Sequence, residues 1–214
     1  MLLLLAACGP DLAPRAAAET GGSMAATAGS TALRWSSMPG DGIEFRYVNH
    51  AVVITTGPHM VAWPTGAVVL EPPYTVAATV HKKRGRIFEG YGLVFGGDAL
   101  DAPESEQSYS YFLVRGDGSF LIRRRERGAV PLLFGWTAHP AIQRDTEEEG
   151  RRNELRVEVG TDEVVFRVNG SEVQRVPTSH LRTRGLPGVR VSHDVELEVQ
   201  GFTASHNAAG GDPG

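Results

Sequence analysis

From Arg34 onward the chain runs in short apolar stretches separated by Gly, Pro, Asp and Asn. This is the pattern of strands joined by turns, with almost no helical periodicity. In the stretch 109–125, two runs rich in aromatic and branched residues flank Gly116-Asp117-Gly118 and predict a β-hairpin. A three-residue loop sets Val114 against Phe120 and Phe112 against Ile122 on one face, with Tyr111 against Arg123 and Tyr109 against Arg125 on the other. A two-residue loop at Asp117-Gly118 would put Phe112 opposite Arg123, because a slip of one residue turns side chains to the wrong face. The three-residue loop is preferred, and it gives the hairpin one core face and one Tyr/Arg face.

The same reading places strands over 43–48 and 51–55, a turn at Thr56-Gly57-Pro58-His59, and a short strand over 67–70. Tyr74, Val76, Ala78 and Val80 alternate inward along the next strand, and Pro72-Pro73 confines its start to an edge or a strand end. Residues 81–86 read as a basic connection, 91–95 as a strand, 96–106 as a long acidic loop, 130–134 as a strand and 143–152 as a solvated excursion. In a second meander over 153–176, Leu155, Val157 and Val159 face inward, Gly160-Thr161-Asp162 turns the chain, and Val164, Phe166 and Val168 return. Asn169-Gly170 is a type I′ signal that places Phe166 opposite Val173 and Arg167 opposite Glu172. One helical turn over 179–182 and strands over 188–192 and 195–202 follow. The fold class is all-β.

Composition adds an address. The 214 residues carry 21 Lys and Arg against 25 Asp and Glu, a formal charge of −4, which argues against a nucleic-acid partner or an anionic membrane surface. The single cysteine, Cys8, excludes an internal disulfide. It ends Leu5-Ala6-Ala7-Cys8, which resembles the lipobox of bacterial lipoproteins, although a positively charged n-region is missing and the apolar stretch is short. The expected organisation is a signal remnant over 1–8, a flexible linker over 9–33, a sandwich domain over 34–205 and a disordered tail over 206–214. A linker of this length and composition reaches on the order of 25 to 30 Å. Such a chain is anchored in the bacterial cell envelope by lipid, periplasm-facing or surface-exposed, without spanning the membrane.

Tyr109, Tyr111, Arg123, Arg125 and Trp136, with His139 at a loop end, form the candidate ligand-binding set. A sugar offers C–H faces and hydroxyl rims together, so it needs flat aromatic platforms and fixed donors. Catalytic residues are not assigned. No Gly-x-Ser-x-Gly elbow, no His-Glu-x-x-His zinc motif and no phosphate-cradling glycine loop is present, and the seven histidines lack metal-ligand spacing. An acid/base pair would require the fold to bring His139, Glu89 or Asp98 beside the Tyr/Arg face. Asp194-Val-Glu196-Leu-Glu198 puts three acids on one face of a strand, and its alternation with Val195, Leu197 and Val199 also suits polar residues facing water. Metal ligands and cofactors are expected to be absent, save that Asp98, Asp101, Glu104 and Glu106 offer oxygens to Ca²⁺ without EF-hand spacing.

Five stretches carry a resemblance: Tyr91-Gly-Leu-Val-Phe, Tyr111-Phe-Leu-Val-Arg-Gly-Asp-Gly-Ser-Phe, Trp136 before Ala-His-Pro-Ala, Asn153-Glu-Leu-Arg-Val-Glu-Val leading to Val165-Phe-Arg-Val-Asn-Gly, and Gly188-Val-Arg-Val with a closing Val-Glu-Leu-Glu-Val. Together they resemble the concanavalin A-like, laminin-G-like jelly rolls of bacterial envelope proteins, and among these the 3-keto-disaccharide hydrolase, family-sixteen-glycosidase-like domains. The resemblance implies a two-sheet antiparallel jelly-roll sandwich with one concave sheet, and a carbohydrate or glycoconjugate on the concave face. It also carries one alternative, a glycoside hydrolase of the 3-keto-disaccharide type; a further alternative, a non-enzymatic protein-interaction lipoprotein, is favoured if side chains fill the concave face.

Overall fold

The computed structural model describes residues 33–146 and 149–206, and there the period-two stretches form fourteen strands in two antiparallel sheets. The first sheet runs in the order β1 (Trp35–Ser37), β4 (Met60–Pro64), β13 (Leu186–Val191), β6 (Tyr91–Asp98), β7 (Ser108–Arg115), β8 (Ser119–Glu126), β9 (Leu132–Ala138). The second runs β12 (Ser171–Pro177), β11 (Glu163–Val168), β10 (Arg152–Val159), β5 (Tyr74–Arg84), β14 (Glu196–His206), β3 (Ala51–Thr56), β2 (Ile43–Val48). A 3₁₀ turn at Thr178–His180 is the only helical element among the described residues, so no helix there can cross a membrane. Cys8, most of the predicted linker and all but the first residue of the predicted tail lie outside the described residues.

The core is filled from both sheets by the predicted alternation. Tyr74, Val76, Ala78 and Val80 of β5, Leu155, Val157 and Val159 of β10, and Leu197 and Val199 of β14 are all buried, facing Tyr91, Leu93 and Phe95 of β6 and Phe112 and Val114 of β7. Each Val, Leu or Phe among them withdrawn from water contributes roughly 1.5 to 3 kcal/mol. The β7–β8 hairpin has the three-residue-loop register, pairing Tyr109 with Arg125, Tyr111 with Arg123, Phe112 with Ile122 and Val114 with Phe120.

Elsewhere the structure corrects the sequence reading. β1 and β4 form in stretches without clear alternation, and residues 67–70 supply only a bridge from Leu70 to Gly185. The basic connection is the end of β5, held as strand to Arg84 by pairing with β14. β9 begins and ends later than expected, so Trp136 lies within a strand. Asn169 and Gly170 have the positive φ angles of a type I′ turn and Arg167 does face Glu172, but a bulge at Phe166/Arg167 leaves Phe166 opposite Gln174 instead of Val173.

Candidate functional site

The outer faces of the two sheets differ. On the second sheet Arg46 meets Glu196 at 3.3 Å, Lys83 and Arg152 meet Glu198 at 3.5 and 2.9 Å, and Arg167 meets Glu158 at 3.2 Å. This is a lattice of paired surface charges. The Asp194-x-Glu196-x-Glu198 run belongs to it: two of its carboxylates face cations, and Asp194 sits in a turn at φ 52°. The outer face of the first sheet instead carries a second apolar cluster of Val61, Val94, Tyr109, Tyr111, Leu113 and Leu121, joined by Leu100 from the loop between β6 and β7.

Arginines are set into that apolar floor. Arg190 of β13 donates from Nη1 to the Tyr109 hydroxyl at 3.1 Å, and its guanidinium carbon lies 5.2 Å from the centre of the Tyr111 ring. Arg125 reaches across Tyr109 to the Glu104 carboxylate, which also accepts a hydrogen bond from His59 Nε2 at 3.0 Å. A carboxylate only accepts, so the neutral His59 ring carries its proton on Nε2. His59 stands edge-on to His193 at 5.2 Å, and His193 Nδ1 is 4.0 Å from Glu89. Tyr109 is fully buried and Tyr111 nearly so, so neither ring is free to stack on a ligand as the sequence reading expected. They form the floor, and Leu100 and Glu104 bring the loop over it.

Burial and Arg190 hold the His59 pKa below its ordinary value of 6.5, against the pull of Glu104. Burial pushes Glu104 upward, but His59, Arg125 and Arg190 outweigh it and hold the carboxyl below its ordinary 4.5. For both groups the folded state binds its proton less readily than the unfolded chain. The closed loop therefore loses stability as pH falls below 6.5, through the depressed pKa of His59, and again below 4.5 through that of Glu104. Amide exchange over residues 99–107, corrected for intrinsic rates, is expected to accelerate between about pH 7.5 and pH 5. Equal protection at the two values would show that the latch does not hold the loop.

At the other end of the same face the next outward position on β7 is Arg115. Asp117 in the hairpin loop grips its guanidinium with two oxygens, at 2.8 Å to Nε and 2.7 Å to Nη2. So fixed, the guanidinium lies 4.4 Å from the centre of the Trp136 ring system and 5.2 Å from that of Phe88. Phe88 is 64% exposed and Trp136 36%. Gly90 gives the indole room, since a methyl there would sit 2.7 Å from Trp136 Cη2. The sequence reading missed Phe88 and Arg115. Arg115 was legible as the continuation of the Tyr109, Tyr111, Leu113 alternation, whereas Phe88 sits in a segment without periodicity.

His139 lies elsewhere. Its Nδ1 accepts from the Ala141 amide at 3.2 Å and its ring approaches Phe120 on the core side of β8, away from the Tyr/Arg face. Asp98 pairs with Arg182 at 3.0 Å while Glu104 turns to Arg125 and His59, so these two carboxylates of the acidic loop face different cations. Among the described residues there is no group of three or more His, Cys, Asp or Glu suited to a metal ion. A separate cavity of about 500 Å³ opens at one end of the sandwich, lined by the basic end of β5 together with Ile87, Asp145, Thr146, Glu149 and Gly150.

By sequence, no family model and no curated protein matches the chain. By structure it is similar to carbohydrate binding module CBM66 from Bacillus subtilis, at TM-score 0.62 and 14% identity over 80% of this chain and 94% of that one. The fold is a jelly-roll sandwich. It is also similar to the potassium-bound carbohydrate recognition domain of Emp46p, at TM-score 0.57 and 10% identity over 81% of this chain and 89% of that one. A Parabacteroides distasonis protein provisionally described as a glycosyl hydrolase aligns at TM-score 0.52 and 11% identity, over 80% of this jelly roll and 98% of that chain. At these identities the likeness establishes the architecture, and function rests on the site.

Proposed function

We propose that the outer face of the first sheet binds a carbohydrate or glycoconjugate, with Trp136 and Phe88 as stacking surfaces, Arg115 and Arg190 as fixed donors and Arg123 as a further donor. The observation that carries this reading is the Arg115 guanidinium, clamped by Asp117 and flanked by two accessible aromatic rings. Rings and a planar donor held in advance suit the mixed apolar and hydroxyl surface of a sugar, and little side-chain entropy remains to be lost on binding. Jelly-roll relatives described as carbohydrate-binding support the same reading. In it, Tyr109, Tyr111 and Arg125 build the floor and Cys8 is acylated, holding the sandwich at the bacterial envelope.

Amide chemical shifts followed during titration with a panel of oligosaccharides test the assignment. Perturbations confined to β7, β8, β9, β13 and the segment around Phe88 are expected. Perturbations confined to the paired-charge face of the second sheet would overturn it. A second reading, cleavage of a glycoside of the 3-keto-disaccharide type, is favoured by the Glu104–His59 pair at 3.0 Å, which offers a carboxylate beside a neutral imidazole as a general base. It requires sugar release by the wild type that Glu104→Gln abolishes.

A further inference from the structure

We infer that the saccharide taken by this face is acidic, and that Arg123, assisted by Arg190, receives its carboxylate or sulfate. The inference rests on the carbohydrate reading and names its ligand class. It starts from an inventory of countercharges. On the outer face of the first sheet Arg115 is neutralised by Asp117 and Arg125 by Glu104. Arg190 meets no carboxylate at ion-pair distance among the described residues; its polar contact is the Tyr109 hydroxyl, and it lies over the Tyr111 ring. Arg123 stands directly opposite Tyr111, half-buried, with no hydrogen-bond or ion-pair partner among the described residues and with a buried, unsatisfied Nε.

On the second sheet Arg46, Arg152, Arg167 and Arg175 meet carboxylates, and Arg156 meets none at ion-pair distance among the described residues; Arg123 differs from Arg156 in having a buried, unsatisfied Nε and a second guanidinium without a carboxylate, Arg190, on the same tyrosine. A guanidinium carries five donors in a rigid fork and cannot shed its charge, so leaving it half-buried and unpaired is costly. Two such groups flank one tyrosine in a chain whose formal charge is −4, so the local positive charge is not a reflection of composition. A planar anion, bound at the terminal nitrogens of Arg123 with its sugar ring extending toward Trp136, supplies the missing countercharge. A neutral sugar leaves the charge uncompensated.

The test is calorimetric titration of the wild type, Arg123→Gln and Trp136→Ala with three probes of matched length: oligogalacturonate, a sulfated galactan oligomer and a neutral galactan oligomer. The wild type is expected to bind at least one acidic probe about tenfold or more tighter than the neutral one, and Arg123→Gln to remove that preference. The acidic probe that binds better identifies the anion. Equal binding of all three probes, or an acidic preference that survives Arg123→Gln, overturns the inference while leaving the carbohydrate reading intact. Failure of every probe to bind, or binding indifferent to both substitutions, overturns this inference and removes support from the carbohydrate reading as well.

Discussion

Asp145→Ala is expected to lower the stability of the sandwich by about 3 to 5 kcal/mol, the cost of leaving a buried charge without its partner. Lys82 continues the inward alternation of Tyr74, Val76, Ala78 and Val80, so its ammonium enters the end of the sandwich where an apolar side chain would be expected. It lies 2.6 Å from Asp145 Oδ2, donates to the Arg86 carbonyl at 3.0 Å and approaches the Tyr91 ring at 5.6 Å. The two side chains are 3% and 6% exposed. Asp145 is held in turn, its amide donating to the Gly116 carbonyl and its Oδ1 accepting from the Arg151 amide.

Removing either member strands the other in low dielectric, whereas replacing both with apolar residues removes the desolvation cost along with the attraction. Thermal denaturation of Asp145→Ala is expected to show a midpoint lower by about 10 °C, at roughly 2 to 4 °C per kcal/mol for a domain of this size. Lys82→Met combined with Asp145→Leu is expected to recover most of that loss. A double variant as unstable as the single one would show that Asp145 acts by anchoring its loop, with the countercharge unimportant.

Trp136→Ala is expected to weaken saccharide binding by about 30-fold or more, the effect of roughly 2 kcal/mol for an aromatic anchor at the centre of a contact. The melting temperature should change little, because Trp136 sits on the outer face with 36% of its surface exposed and outside both apolar clusters. Gly90→Ala separates geometry from chemistry. Its added methyl would meet Cη2 of the indole at 2.7 Å and displace the ring, so binding should weaken although every side chain of the site remains. Titration of both variants with a saccharide that binds the wild type checks the pair. Undiminished affinity in Trp136→Ala would remove the stacking surface from the proposed site.

Local turn chemistry explains how much of this was legible. Gly116-Asp117-Gly118 and Asn169-Gly170 fixed their hairpins, and with them the separation of Phe112 and Val114 from Tyr109 and Tyr111, because side-chain direction follows from register. The bulge at Phe166 was not legible, since an extra residue in one strand leaves no compositional trace. Nor was the burial of Asp145. A carboxylate in a polar stretch reads as solvated until the strand carrying Lys82 is known to end beside it.

The amino-acid pattern by itself determined an all-β chain, the register of the β7–β8 hairpin and the presence of a face carrying tyrosine and arginine. Those properties depend on neighbours a few residues apart and on the two-residue period of a strand. The tertiary structure decided which of those residues a ligand could reach. It buried Tyr109 and Tyr111 beneath a loop fastened by Glu104, turned His139 toward the core, and set Phe88, from outside any strand, beside Arg115 and Trp136. Exposure and countercharge are set by segments distant in sequence, and alternation along one strand carries no information about what folds across it.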